Sequence, residues 1–156
     1  MKKVLFISSS GGHLSELLQL KRLFEKYDYN IITEKNESTL YLNSAYKGKV
    51  KYLVSGTKHH MFSYVFKFSY NCIKSLVFYI KIRPKYIVTT GSHTAVPMCY
   101  IGKIFGSKII YIESFANSKT KSLSGKLVYP ISTHFIVQWE SMLEVYPKAK
   151  LGGPIY

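Results

Sequence analysis

The chain has 156 residues, 47% of them hydrophobic and 15% aromatic, and a formal charge of +14 from 22 Lys and Arg against 8 Asp and Glu. That length carries one domain with a real core, and that composition excludes a disordered chain. The excess of positive charge implies an anionic partner: nucleic acid, an acidic membrane surface or a phosphorylated substrate.

Lys2-Lys3 ahead of Val4-Leu5-Phe6-Ile7 mimics the start of a signal peptide, but Ser8 to Gly12 breaks the apolar run at once. Those four apolar residues read instead as a strand buried on both faces, and Leu14, Leu17, Leu18 and Leu20 restore a helical period over His13 to Lys26. Between them, Ser8-Ser9-Ser10-Gly11-Gly12-His13 forms a tight turn into the helix. Backbone N–H groups and the helix dipole there suit a phosphate or another anion, while an ordinary strand-to-helix connection has equal standing. The spacing is not GxGxxG, which speaks against a dinucleotide. His13 adds a proton donor or acceptor, and Glu16 caps the turn or contacts a sugar.

Tyr29 to Glu34 predicts a second strand, Ser38 to Tyr46 a helical turn, and Val50 to Val54 a third strand. The stretch from His59 to Arg83 contains no acidic residue, and Lys67, Lys74 and Lys81 recur every seven positions, one drifting stripe on a helix. Aromatic and aliphatic residues, Phe62 and Phe66 among them, fill much of the remainder. Three lysines argue against a membrane span. A helix lying in the headgroup plane fits better, with lysines and Arg83 toward anionic lipid at ~1 kcal/mol each. A core helix with solvated lysines is the competing reading.

Lys85 to Thr90 is the fourth strand, Gly91-Ser92-His93 a turn, Thr94 to Phe105 a helix stopped by Gly106, and Lys108 to Glu113 the fifth strand. A helix over Thr120 to Tyr129, a sixth strand over His134 to Gln138 and a short helix from Glu140 to Tyr146 complete the chain. This alternation predicts an α/β fold, a doubly wound, Rossmann-like parallel sheet in a single domain over 1–156. Ligands in such sheets sit beyond the carboxyl ends of the strands, so the loops after strands one, four and five share one rim.

That rim shows no metal motif, GxSxG elbow or P-loop, and no cofactor is expected. Cys72 and Cys99 match no ligand spacing and read as free thiols of a reducing compartment. Nucleic acid is disfavoured, because the tyrosines and lysines cluster in an apolar segment and not on a polar surface.

Ser9-Ser10-Gly11-Gly12-His13, Thr90-Gly91-Ser92-His93-Thr94-Ala95-Val96-Pro97, the run from Ile110 through Glu113-Ser114-Phe115 to Pro130, and Phe135-Ile136-Val137-Gln138-Trp139 together resemble one family. It is the acceptor-side, membrane-associating subunit of two-piece glycosyltransferases. Its eukaryotic members serve dolichol-linked oligosaccharide synthesis and its bacterial members capsule and exopolysaccharide assembly. The opening turn is also similar to the glycine-rich loop of the lipid II-forming N-acetylglucosaminyltransferase.

The resemblance implies the N-terminal half of a GT-B enzyme, inactive alone, whose catalytic partner subunit holds most of the UDP-sugar site. The acceptor would be a polyprenyl-pyrophosphate saccharide. The chain would be cytoplasmic and peripheral on the inner face of the cell membrane, attached by the basic helix in place of the spanning anchor of eukaryotic relatives. Carried onto this sequence, Gly11 and Gly12 hold the diphosphate together with Gly91, Ser92, His93 and Thr94, and His13 and Glu113 are the catalytic candidates, His13 as general base. Ser114 and Phe115 shape the cleft, Lys119 and Lys121 neutralise phosphates, and Asn117-Ser118 stands where relatives often carry a basic residue. Gln138, Trp139, Pro154, Ile155 and Tyr156 dock the partner. A non-enzymatic membrane scaffold that only recruits a transferase is the alternative.

Overall fold

The computed structural model describes residues 1–55 and 61–155, with side chains from Val65 onward in the helix that begins at Met61. His59, His60 and Tyr156, and the side chain of Phe62, lie outside the described residues. Seven parallel strands form one sheet in the order β3-β2-β1-β4-β5-β6-β7: β1 Lys3–Ser8, β2 Asp28–Lys35, β3 Val50–Val54, β4 Tyr86–Gly91, β5 Lys108–Ile112, β6 His134–Val137 and β7 Lys150–Leu151. The six expected strands are present. The seventh is a two-residue edge beside β6 (Ile136 opposite Lys150), too short to leave a periodic signal in the sequence.

Strand alternation divides the core. Leu5, Ile7, Ile32, Ile87, Ile109 and Tyr111 face one layer with Tyr79, Ile82, Met98 and Val128, whereas Val4, Phe6, Ile31, Val88 and Ile112 face the other with Leu17 and Phe24. The first layer is made by α3 Met61–Ile82, α4 Val96–Ile104 and α5 Leu123–Val128; α1 Gly12–Gln19 lies in the second. α1 is shorter than the sequence suggests, tightening into a 3₁₀ turn at Leu20–Leu23. Two short helices, α2 Leu42–Ala45 and α6 Met142–Val145, complete the α-helices of the described residues.

α3 is not divided cleanly into an apolar inner face and a polar outer one. Asn71, Ser75, Tyr79 and Ile82 are buried, while Val65, Phe66, Ile73, Val77 and Ile80 are exposed. Asn71 clamps the end of β3: its Oδ1 accepts from Val54 N–H at 2.9 Å and its Nδ2 donates to Val54 C=O at 2.8 Å. Lys67 and Lys74 are partly covered and Lys81 is exposed, with the Lys74 ammonium 5.5 Å from the Tyr70 ring centroid. Ile104 and Phe105 at the end of α4 are exposed as well. Among the described residues no helix is long and apolar enough to cross a membrane.

Candidate functional site

The sheet order reverses between β1 and β4, and the crevice at that switch point is where the expected rim forms. Gly11 takes φ +79°, a conformation that costs L-residues with a Cβ, and turns the chain into α1 with no side-chain cap. The first helical bond is Ser15 N–H to Gly11 C=O, so the amides of Gly12, His13 and Leu14 have no partners within the helix. The loop after β4 lies beside it, because Ser9 N–H donates to Gly91 C=O at 3.1 Å and Ser92 Oγ donates to Ser9 Oγ at 3.1 Å.

His13 is fixed from both ends of its residue. Its Nδ1 is 2.7 Å from Thr90 C=O, which only an N–H can satisfy, and Thr90 Oγ1 donates to its backbone carbonyl at 2.6 Å. In the neutral ring this leaves Nε2 as the proton acceptor. The ring borders two clefts. One, of about 320 Å³, is lined by the polar residues His13, Ser92, His93, Asn117, Ser122 and Ser124 and by the apolar residues Phe68, Val96, Leu123 and Leu127. The other, of about 600 Å³, is lined by Gly12, His13, Glu16, Ser114, Phe115 and Ala116.

Glu113 sits at the expected rim but does not face either cleft. It is 1% exposed and fully used: Oε1 accepts from Ser114 N–H at 3.1 Å and Asn117 Nδ2 at 3.2 Å, and Oε2 accepts from Ser122 Oγ at 3.0 Å and Tyr146 O–H at 2.8 Å. Such a carboxylate ties the β5 loop to α5 and α6; it is not placed to exchange a proton with a ligand. Gly125 permits this, since a Cβ there would strike both Glu113 Oε2 and the Tyr146 hydroxyl. Burial, followed by the hydrogen bond to Glu113, pushes the Tyr146 phenol well above its ordinary range. Tyr111, bonded to Ser124 at 2.8 Å, shifts the same way, chiefly through burial.

Glu16 does not cap the turn. It is 2% exposed, and its Oε1 accepts from Phe115 N–H at 2.6 Å and Ser114 Oγ at 3.2 Å. Its role in the geometry is to bind α1 to the β5 loop across the second cleft. Gln138 is likewise internal, with Nε2 donating to Glu113 C=O at 3.0 Å and Oε1 accepting from Ile155 N–H at 3.0 Å, so it holds the tail down and offers no docking surface. Trp139 is exposed at the rim, its indole N–H donating to Phe115 C=O at 2.7 Å and its ring 4.5 Å from that of Phe115. Pro154 is exposed and Ile155 half-buried. Lys119 is exposed; Lys121 lies over Tyr146, 5.2 Å from the ring centroid. A residue the sequence reading missed is Glu34, at the end of β2, which accepts from Ser10 Oγ at 3.0 Å and from Thr94 Oγ1.

Residues 4–155 match the family described as "Oligosaccharide biosynthesis protein Alg14 like". The chain belongs to that family. It is 34% identical over 169 residues to the UDP-N-acetylglucosamine transferase subunit ALG14 of Candida albicans, covering 92% of this chain and 74% of that one. The mouse protein of the same name is 28% identical over 98% of this chain and 82% of its own. Among solved structures, MurG of Acinetobacter baumannii superposes with a TM-score of 0.75 at 11% identity, over 90% of this chain and 43% of that one. UDP-GlcNAc 2-epimerase of Methanocaldococcus jannaschii in complex with UDP-GlcNAc and UDP does so with a TM-score of 0.72 at 17% identity, over 97% and 46%. This Alg14-family chain thus has a GT-B-like fold and spans less than half the length of those neighbours.

Proposed function

We propose that this chain is the acceptor-binding subunit of a two-subunit transferase that moves a sugar from a UDP-sugar to a polyprenyl-pyrophosphate-linked saccharide. One observation carries the reading: the cleft at the switch point is lined both by the polar His13, Ser92 and His93 and by the apolar Phe68, Val96, Leu123 and Leu127. A pyrophosphate suits the polar lining and the α1 amides that lack helical partners, and the first isoprene units suit the apolar lining. Leu123, Leu127 and the apolar residues Val65, Phe66, Ile73, Val77 and Ile80 of α3 are exposed, and these we assign to the membrane surface. The lysines of α3 and the net charge of +14 favour an anionic leaflet, on the cytoplasmic side.

His13 Nε2 is the base we assign to the attacking saccharide hydroxyl, its ring held by the Nδ1 bond to Thr90 C=O. Glu113 supports the fold of the rim and takes no proton. The donor falls to the partner, docked along Trp139, Phe115 and the tail at Pro154 and Ile155. The Alg14 relatives are named as subunits of a UDP-N-acetylglucosamine transferase, so N-acetylglucosamine is the donor sugar we assign. Capsule or exopolysaccharide assembly finds no support among those relatives, and the proposal rests on the lipid-linked acceptor alone.

Co-expression of the chain with a UDP-sugar-binding partner and assay of transfer to a polyprenyl-pyrophosphate saccharide tests this. Transfer by the pair, absent from either subunit alone, is expected; full activity from the isolated chain refutes the divided site. Binding of the partner with no transfer to any lipid-linked acceptor favours the pure scaffold.

A further inference from the structure

Glu34 occupies an unusual place for a carboxylate. It closes β2 beside the switch point and is 5% exposed. Among the described residues no Lys or Arg pairs with it. Its Oε2 accepts from Ser10 Oγ at 3.0 Å, its Oε1 accepts from Thr94 Oγ1, and His93 Nε2 lies 3.7 Å from Oε1. Ser10 belongs to the loop after β1, and His93 and Thr94 to the loop after β4. One buried carboxylate therefore ties the loop after β1 to the loop after β4, whose Ser92 and His93 line the crevice assigned to the acceptor pyrophosphate.

A buried charge is costly unless hydrogen-bonded, and a carboxylate is an unfavourable neighbour for an anion. A hydroxyl-accepting amide at this position would spare both costs if the role were only to fill space. We propose that Glu34 is a positioning residue: it fixes Ser10 and Thr94 through charge-assisted bonds and orients His93, setting the width of the anion crevice. The inference rests on the acceptor reading of that crevice. The sign of its effect separates positioning from simple electrostatics. Through space alone, removing a negative charge beside an anion tightens binding. Positioning demands the reverse.

The test uses the reconstituted pair and, separately, the full chain with inorganic pyrophosphate as probe. In Glu34→Ala the KM for the polyprenyl-pyrophosphate acceptor is expected to rise about tenfold or more, the scale of losing a charged-group hydrogen bond. The KM for the UDP-sugar and kcat should stay within about twofold, since the partner holds the donor. Glu34→Gln, which keeps one acceptor for the two hydroxyls, restores part of the loss. Thr94→Val reproduces part of it and adds less than its single effect on the Glu34→Ala background. Pyrophosphate binding to the full chain, followed by ³¹P line width, should weaken in the same order. Tighter pyrophosphate binding or an unchanged acceptor KM in Glu34→Ala overturns the inference, as does an equal rise in both KM values. If the wild-type pair transfers nothing to lipid acceptors, the proposed function fails while the pyrophosphate series still decides the role of Glu34.

Discussion

Replacing Phe66, Ile73 and Ile80 together by Ser tests the membrane face of α3. These side chains are 75%, 65% and 52% exposed, so their apolar surface contributes little to the core. Fully burying a side chain of this size yields about 2 kcal/mol. Weighted by those exposures, the three substitutions remove about 4 kcal/mol of insertion energy, roughly a thousandfold in membrane partition. Flotation with vesicles made with and without an anionic phospholipid reads the change directly. Wild-type protein should float with the anionic vesicles and the triple variant should remain in solution. Its melting temperature should stay within about 5 °C, because surface substitutions move stability by only ~0.5 kcal/mol each. Undiminished flotation, or a variant that unfolds, would show that these residues belong to the core and not to a membrane face.

Three further outcomes follow from buried polar contacts. Tyr146→Phe removes one of the four donors to the Glu113 carboxylate; it should cost about 1.5–3 kcal/mol and lower the melting temperature by about 4–10 °C, leaving kcat within about twofold. An unchanged melting temperature contradicts the hub, and a collapse of kcat in folded protein contradicts its structural assignment. Asn71→Ala leaves both backbone groups of Val54 unpaired, and is expected to cost about 1–3 kcal/mol and to speed hydrogen exchange at the Val54 amide, whereas unaltered exchange argues against the clamp. Burial raises Cys99 from 9.0 to about 12 and lifts Tyr111 and Tyr146 above 10.0. The unfolded chain therefore loses these protons first: stability is complete below about pH 9 and falls above it by about 1.4 kcal/mol per pH unit for each group titrating. Urea midpoints that stay flat from neutral pH to about pH 11 would contradict that linkage.

The strands of this chain were legible because apolar runs such as Val4 to Ile7 and Ile109 to Ile112 are bounded by turns, and the rim followed from their parallel order. β7 was not, because Lys150–Leu151 are exposed and gain their pairing only from β6. The site was legible as a set of loops and not as a set of roles. Glu113 stands in a motif position that invites catalysis and Glu16 in one that invites a cap or a sugar contact, yet the close approach of α5 that Gly125 permits buries the first, the β5 loop covers the second, and no periodicity records either. Glu34 was passed over for the converse reason. As the polar end of a strand it looks solvated, and only the packing of β2 beside β1 at the switch point brings it against Ser10 and Thr94. The mixed polarity of α3 was half visible: its lysine period could be read, but the burial of Asn71 and Ser75 could not.

The division of labour between two subunits is the central claim, and equilibrium binding to this chain without its partner tests it most directly. In nanodiscs, the chain should bind a polyprenyl-pyrophosphate saccharide, lose that binding on His13→Ala or on competition by inorganic pyrophosphate, and show no measurable affinity for the UDP-sugar. Comparable binding of the UDP-sugar, with none for the lipid pyrophosphate, would place the donor site on this chain and contradict the account.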